Sequence, residues 1–114
     1  MARPESVPEW LRYAAERGRE GHDGVRILDR QERPTLRSWS AMEERARRAA
    51  TVLSDAGVET GDAVAIVLPT SHAFFDAYLG AQWLGAVPVP LYPPVRIGRL
   101  EEYWLRTSAM LEAV

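Results

Sequence analysis

Apolar residues recur at helical spacing in two stretches of the first half of the chain. Residues 8–17 and 39–55 each carry them at every third or fourth position, which predicts two amphipathic helices. Ser6 opens a capping-box match, Ser-Val-Pro-Glu, directly before the first helix. The second helix can be capped by Ser38 or by Ser40, because either serine could accept a hydrogen bond from the first helical turn.

The segment between these two helices has strand-like rather than helical character. Three glycines break the first helix, and residues 25–28 then alternate as a short strand. Residues 29–33 are polar and turn-forming, and residues 35–37 predict a returning strand. This order predicts a β-hairpin.

The second half of the chain opens with a continuous apolar run at residues 63–68, rich in β-branched side chains. Such a run is typical of a strand that is buried on both faces of a parallel sheet. Residues 72–84 predict a helix capped by Thr70 or Ser71, and residues 86–91 form a second apolar run. Strand, helix and strand in about thirty residues indicate a right-handed, parallel βαβ unit. Two prolines in the second run cannot donate to a ladder, so that strand is short, marginal or at a sheet edge.

A last helix is predicted from about Gly98, with one apolar stripe along it. The chain ends at Val114 without a glycine cap. Glu112 falls in the last turn, where the helix dipole disfavours an acid. This ending leads us to expect a piece of a longer chain.

Composition excludes several classes of function. The 114 residues are 46% hydrophobic and carry a net charge of −2, which is typical of a globular protein and gives no footprint for nucleic acid. All 14 basic residues are arginine, so no phosphate-loop or Schiff-base lysine is available from this chain. The absence of cysteine excludes disulfides, cysteine-ligated zinc and thiol catalysis.

Charge placement and hydropathy indicate which parts of the chain are exposed and where in the cell the protein is expected. Residues 49–114 hold only three of the arginines, so the first half resembles a surface layer and the second an interior. The longest uncharged run, residues 77–95, contains a glutamine, two glycines and four prolines, and we interpret it as buried helix and strand, not a membrane span. No apolar leader is visible, and we expect a cytoplasmic protein.

The candidate chemical groups have plain structural interpretations. His72 and Asp76 lie four residues apart and could form an acid–base pair, but no nucleophile or third group is evident, which favours a polar helix start. Gly80 and Gly85 have phosphate-loop spacing, but no lysine follows; we interpret Gly80 as a close contact of its helix with the sheet. His22 and the neighbouring aspartate are interpreted as loop residues.

Two further segments have the composition of binding motifs. Arg45, Arg47 and Arg48 are interpreted as a solvated helix face, because acidic neighbours offset them. Residues 88–94 could be a polyproline ligand, but their position directly after an apolar strand favours a rigid exit from the sheet.

Three ordered blocks resemble the N-terminal part of the adenylate-forming (acyl-AMP-forming) ligases, the AMP-binding superfamily. Ser38-Trp-Ser-Ala-Met-Glu-Glu-Arg-Ala-Arg48 is similar to that family's Thr-Tyr-x-Glu-Leu helix start. Gly57-Val-Glu-Thr-Gly-Asp-Ala-Val-Ala-Ile-Val-Leu-Pro69 is similar to its Gly-Val-x-x-Gly-Asp-x-Val strand. Ala77-Tyr-Leu-Gly-Ala-Gln-Trp-Leu-Gly-Ala-Val-Pro-Val-Pro90 is similar to its helix that ends in Gly-Ala-Val-x-Val-Pro.

The continuation Leu91-Tyr-Pro-Pro94, followed by Arg99-Leu-Glu-Glu102, resembles the fatty acyl-AMP ligase branch of that family. Ala41 and Ala63 depart from the family pattern at an acidic and a basic position, and both are expected at the surface.

The resemblance implies an α/β fold, an incomplete piece of the large N-terminal domain, in which residues 1–114 supply helices, a short hairpin and one βαβ unit. It implies a parent enzyme that uses ATP and Mg²⁺ to convert a fatty acid into an acyl-adenylate. The acyl group would then pass to an acyl carrier protein or to coenzyme A.

The phosphate loop, the adenine, ribose and Mg²⁺ motifs and the catalytic lysine of the family would lie beyond this chain. No catalytic, cofactor-binding or metal-binding residue is therefore expected here, and the 114 residues alone are expected to be inactive. A coenzyme A ligase of the same superfamily, and a non-enzymatic remnant or partner-binding module, remain alternatives.

Overall fold

The computed structural model describes residues 4–91 together with Leu105 and Ala109. Residues 4–91 form three helices and two small two-stranded sheets, a mixed α/β arrangement as the sequence predicts. In chain order the elements are α1 (Val7–Arg17), β1 (Gly24–Leu28), β2 (Pro34–Ser38), α2 (Trp39–Asp55), β3 (Ala63–Ile66), α3 (His72–Leu84) and β4 (Val87–Pro90).

The core lies where the three helices meet. Leu11 from α1 and Met42 and Ala46 from α2 are almost completely buried. Partly buried side chains from β1, α2 and α3 surround them: Val25, Trp39, Phe75, Leu79 and Trp83. The amphipathic spacing of α1 and α2 therefore predicts the buried stripe correctly at these positions.

Gly80 lies at the contact between α2 and α3. A β-carbon placed on it would come within 2.6 Å of the Ala49 β-carbon and 3.1 Å of the Ala46 carbonyl oxygen. The sequence-based interpretation that Gly80 allows α3 to approach the sheet is thus wrong, because its neighbour is α2. A glycine facing small alanines permits two helix backbones to pack at short range.

The start of α2 is set by Ser38. Its Oγ accepts a hydrogen bond from the Ala41 N–H at 3.2 Å, and its backbone is extended, as an N-cap requires. Ser40 lies inside the first turn, and its hydroxyl donates to the Glu20 carboxylate at 2.8 Å. Of the two serines that the sequence allowed as caps, Ser38 is therefore the one used.

We expect Ser38→Ala to lower the free energy of unfolding by about 1 kcal/mol, the usual cost of losing a serine cap. Ser40→Ala is the matched control and should cost less than half as much, because it removes only a hydrogen bond in an exposed position. Urea unfolding followed by helical circular dichroism measures both. Equal losses for the two variants would contradict this account of the cap.

The hairpin forms where the sequence predicts it. β1 and β2 pair antiparallel, with Gly24 opposite Ser38 and Leu28 opposite Pro34. In the turn, Asp29 Oδ1 accepts hydrogen bonds from the backbone N–H groups of Gln31 and Arg33 at 2.8 and 2.9 Å. These backbone donors, with the Arg33 side chain, hold the pKa of Asp29 below its usual value. One aspartate thus organises the whole connection.

β3 and β4 pair in parallel, with Ala63 opposite Val87 and Ile66 opposite Pro90, so the predicted βαβ unit is confirmed. Gly85 ends α3 in the left-handed conformation. The N–H groups of Val87 and Leu91 donate to carbonyl oxygens of the β3 side. Pro88 and Pro90 therefore fall at positions whose missing donors face the outer edge of β4. Because it lacks these two donors, the outer edge of β4 is poorly suited to pair with a further strand, as expected for an edge strand.

The burial of β3 differs from the sequence prediction. Ile66 is buried, but Ala63 and Ala65 are exposed, and the strand ends at Ile66, before residues 67 and 68. Among the described residues, α3 packs against this small sheet, and no second layer covers the opposite face. An apolar run can predict that a strand is buried on both faces, but it does not show whether a second layer of structure packs on the opposite face of the sheet.

Some predicted features lie outside the described residues, namely the exit at residues 92–94 and most of the helix predicted from Gly98. Leu105 and Ala109 are helical and exposed. Over the described part of the chain, no helix has the length and apolar character needed to cross a membrane.

Candidate functional site

A cluster of four polar side chains joins three elements on one side of the molecule. Arg37 comes from β2, Arg45 from α2, and His72 and Asp76 from the first turns of α3. Arg37 Nη1 donates to Asp76 Oδ1 at 2.5 Å, and Arg45 Nε lies 4.0 Å from Asp76 Oδ2. The Arg37 and Asp76 side chains are only 16% and 23% exposed, so this ion pair is largely shielded from water.

His72 lies in the same cluster but does not pair with Asp76. Within the described residues, neither of its ring nitrogens has a hydrogen-bond partner, and both are buried. Burial lowers the pKa of His72 below its usual value, and the Arg37 guanidinium lowers it further. The Asp76 carboxylate and the backbone of Thr35 act in the opposite direction. The ring is accordingly neutral at pH 7.

This geometry does not support acid–base chemistry by His72 and Asp76. A catalytic dyad needs the carboxylate to orient the imidazole, and a substrate must reach the ring nitrogens. Here the carboxylate faces two arginines, and the nitrogens are closed off. The helical spacing correctly predicts that both residues lie on one face of α3. The structure favours the interpretation of His72 and Asp76 as a polar helix start over that of an acid–base pair. The sequence does not indicate that Arg37 belongs to this cluster, because only the tertiary structure brings β2 against α3.

The two glycines with phosphate-loop spacing do not form a phosphate-binding loop. Gly80 lies in the middle of α3 and is buried against α2, whereas Gly85 ends the helix with φ of +85°. A β-carbon on Gly85 would come within 2.9 Å of the Thr60 methyl group. Thr60 in turn donates its hydroxyl to the Leu84 carbonyl oxygen at 3.0 Å. Both glycines serve packing and chain direction.

His22 and Asp23 lie in the connection between α1 and β1, as predicted. Asp23 Oδ2 accepts a hydrogen bond from the Arg19 N–H at 2.9 Å, and the Arg19 side chain lies 3.4 Å away. These two contacts lower the pKa of Asp23. Both residues border an open cleft of about 420 Å³. The arrangement closes a loop and presents no reactive group.

The arginine face of α2 is solvated, as predicted, but it also makes contacts that the sequence did not indicate. The guanidinium groups of Arg12 and Arg47 lie 5.7 and 5.2 Å from the centre of the Trp83 ring. Glu43 pairs with both arginines, at 3.8 and 3.2 Å. Arg48 pairs with Glu44 in an exposed position. The tryptophan is thus covered by two cations that come from different helices.

The described residues do not fit a nucleotide–metal site. They contain no group of three or more histidine or acidic side chains that could hold a metal ion. The chain has no lysine, and the shielded Arg37 is already paired. We therefore derive no step in ATP or Mg²⁺ chemistry from these residues, and none of them is named as catalytic.

The chain is similar to a known enzyme family and to several known proteins. A family model described as AMP-binding enzyme matches residues 16–110. A long-chain-fatty-acid–CoA ligase of Mycobacterium tuberculosis is 41% identical over 54 residues, which cover 47% of this chain and 11% of that protein. A naringenin synthase of Pestalotiopsis fici is 36% identical over 106 residues, which cover 90% of this chain and 4% of that protein.

The fold is also found in solved structures. A structure from work on fatty acyl-adenylate ligases of E. coli and L. pneumophila matches 94% of this chain with a TM-score of 0.80 and 26% identity. The match covers 19% of that structure's chain, so this chain spans about a fifth of its length. Because the family model covers most of the 114 residues and the structural match covers nearly all of them, the chain belongs to the AMP-binding enzyme family and has the fold of part of the N-terminal domain of the adenylate-forming ligases.

Proposed function

We propose that the protein to which this chain belongs activates a fatty acid with ATP and transfers the acyl group to the thiol of an acyl carrier protein. The observation that carries the proposal is the structural match to fatty acyl-adenylate ligases at a TM-score of 0.80. The resemblance of Leu91-Tyr-Pro-Pro94 to the fatty acyl-AMP ligase branch supports the same choice.

In the proposed reaction, a carboxylate oxygen of the fatty acid attacks the α-phosphorus of ATP, and pyrophosphate leaves. The thiol then gives up its proton to solvent, its sulfur attacks the acyl carbonyl carbon, and AMP leaves with the electron pair of the broken C–O bond. Mg²⁺ would neutralise charge on the phosphates. We propose that residues outside this chain bind the reacting groups, and that the 114 residues alone are inactive.

The contribution we propose for these residues is structural. The close packing of α2 on α3 and the Arg37–Asp76 ion pair hold the hairpin and the helices as one unit. α3 in turn connects and supports β3 and β4. The unit would present the edge of β3 that is unpaired among the described residues, with its backbone amides intact, to further strands of the parent domain.

The alternative is an acyl-CoA ligase of the same superfamily. It is favoured by the 41% identity with the mycobacterial protein described as a long-chain-fatty-acid–CoA ligase. The two proposals share the adenylation step and differ only in the acceptor thiol. Both place the protein in the lipid metabolism of the cytoplasm.

We expect the protein that contains this chain to catalyse exchange of pyrophosphate into ATP only when a fatty acid is present. With the acyl-adenylate formed, acyl transfer to a phosphopantetheinylated carrier protein should exceed transfer to coenzyme A by at least tenfold. The isolated 114 residues serve as the matched control and should give no exchange.

The outcomes separate the proposals. Faster transfer to coenzyme A would replace the carrier-protein proposal with the alternative. Exchange with the isolated chain would overturn our structural role for these residues. Reading the coding DNA past codon 114 is the companion experiment, and an immediate stop codon would favour a remnant or a partner-binding module.

A further inference from the structure

A small cleft of about 290 Å³ lies where the hairpin meets the helices. The connection between α1 and β1 contributes Glu20 to it, β2 contributes Thr35 and Arg37, and the first residue of α3 contributes His72. The histidine ring lines this cleft, and both of its nitrogens are buried and without hydrogen-bond partners among the described residues. The hairpin therefore packs against an imidazole that makes no hydrogen bond within the described residues, although the Thr35 backbone of β2 favours its charged form.

A neutral ring suits this position better than a charged one. An imidazolium has two N–H donors and a positive charge, and burial without acceptors penalises both. His72 is also the first residue of α3, where the positive end of the helix dipole disfavours a cation. The Thr35 backbone favours the charged ring but can accept from only one of the two N–H groups, so protonation would have to open the junction to water or to a further acceptor.

The charged groups around the ring offset an added proton only in part, because Asp76 favours it while Arg37 and Arg45 disfavour it. From β2, Arg37 faces the cluster, and from α2, Arg45 does so. The carboxylate of α3 is Asp76, which lies against both of these arginines. Across the cleft, the connection between α1 and β1 supplies Glu20, which accepts a hydrogen bond from Ser40. A protonated His72 would be a third cation beside one carboxylate that is already paired.

We propose that His72 is a pH-sensitive junction residue, which seats the β1–β2 hairpin on α3 when neutral and loosens it when protonated. The pKa of His72 is lowered in the folded protein, so the folded state binds fewer protons than the unfolded state near the ordinary histidine pKa of about 6.5. Stability from this residue is thus fully present above that value and is lost progressively as the pH falls from it to the lower pKa of the folded state. The inference does not depend on the proposed ligase activity.

Hydrogen exchange of the 114-residue chain, measured by mass spectrometry between pH 7.5 and 5.5 and corrected for intrinsic rates, tests the proposal. We expect the protection of β1 and β2 amides, relative to α2 amides, to fall by roughly threefold or more at the lower pH. His72→Gln should abolish this fall. His22→Gln, which removes the other histidine from an exposed position, should leave it unchanged.

Two results would overturn the proposal: hairpin protection that does not change with pH, or the same change in His72→Gln as in the unaltered chain. If His72→Gln fails to fold, proton NMR titration of the unaltered chain still decides the matter. The His72 ring signal should then titrate below the ordinary histidine range, and a midpoint within or above that range would exclude the junction role.

Discussion

Gly80→Leu is expected to lower the free energy of unfolding by about 3 kcal/mol or more. Even the first added carbon would lie 2.6 Å from the Ala49 β-carbon and 3.1 Å from backbone atoms of Ala46 and Ala50. A leucine is a better helix former than glycine by roughly 1 kcal/mol. The overlap outweighs that gain, because relief requires α2 and α3 to separate along their shared interface. Urea unfolding monitored by tryptophan fluorescence gives the change.

Ala73→Leu is the matched control, because Ala73 lies on the exposed face of the same helix. The control should change the free energy of unfolding by less than about 0.5 kcal/mol. If Gly80→Leu and Ala73→Leu unfold at the same urea concentration, the close approach of α2 and α3 at Gly80 is wrong. The free energy of unfolding of Gly80→Ala should lie between those of the two leucine variants. A single added carbon causes only part of the steric overlap and gives most of the gain in helix propensity.

The second large effect is expected at Asp76. Asp76→Asn keeps the shape of the side chain but leaves Arg37, which is only 16% exposed, without a carboxylate. Removing one member of a shielded ion pair is costly, because the remaining charge stays desolvated. We expect a loss of about 2 kcal/mol, below the value for a fully buried pair because water still reaches part of the cluster.

Glu44→Gln provides the comparison that isolates burial. Glu44 and Arg48 are 2.6 Å apart, nearly the same separation as Asp76 and Arg37, but their side chains are 62% and 66% exposed. An exposed pair of this kind contributes less than about 0.5 kcal/mol. Equal losses for Asp76→Asn and Glu44→Gln would show that burial does not govern the strength of the Asp76 cluster. A double-mutant cycle with Arg37→Met would then locate the remaining energy.

The family assignment changes how these stability effects should be interpreted. The described residues form three helices and two small sheets of a domain whose reacting groups are proposed to lie elsewhere in the parent protein. Variants at Gly80 and Asp76 should therefore alter the amount of folded enzyme and leave the acceptor preference unchanged. A change in the ratio of carrier-protein to coenzyme A transfer would indicate a direct role that the geometry does not indicate.

Local sequence signals were sufficient for most element boundaries. The bounds predicted for α2 and α3, residues 39–55 and 72–84, agree with the structure, because caps and glycine stops act through neighbouring backbone groups. The hairpin and the parallel pair of strands also follow from local patterns. These features need only contacts within a few residues, or across one short connection.

The choice between local alternatives needed more than the sequence. Ser38 and Ser40 are equally suitable as caps by residue type, and the path of the preceding strand selects Ser38. The burial of β3 was overestimated, since an apolar run does not reveal whether a second layer covers it. In both cases the missing information concerns what lies next to the segment in space.

By itself, the sequence determined the order of elements, the βαβ unit and the absence of lysine and cysteine chemistry, because composition and local periodicity are properties of the chain alone. Only the tertiary structure decided that Gly80 packs on α2, that Asp76 neutralises Arg37, and that His72 is closed in without a partner. Each of these three features depends on residues that lie far apart in the chain. Their distance and shielding from water exist only after the helices and the hairpin have packed together.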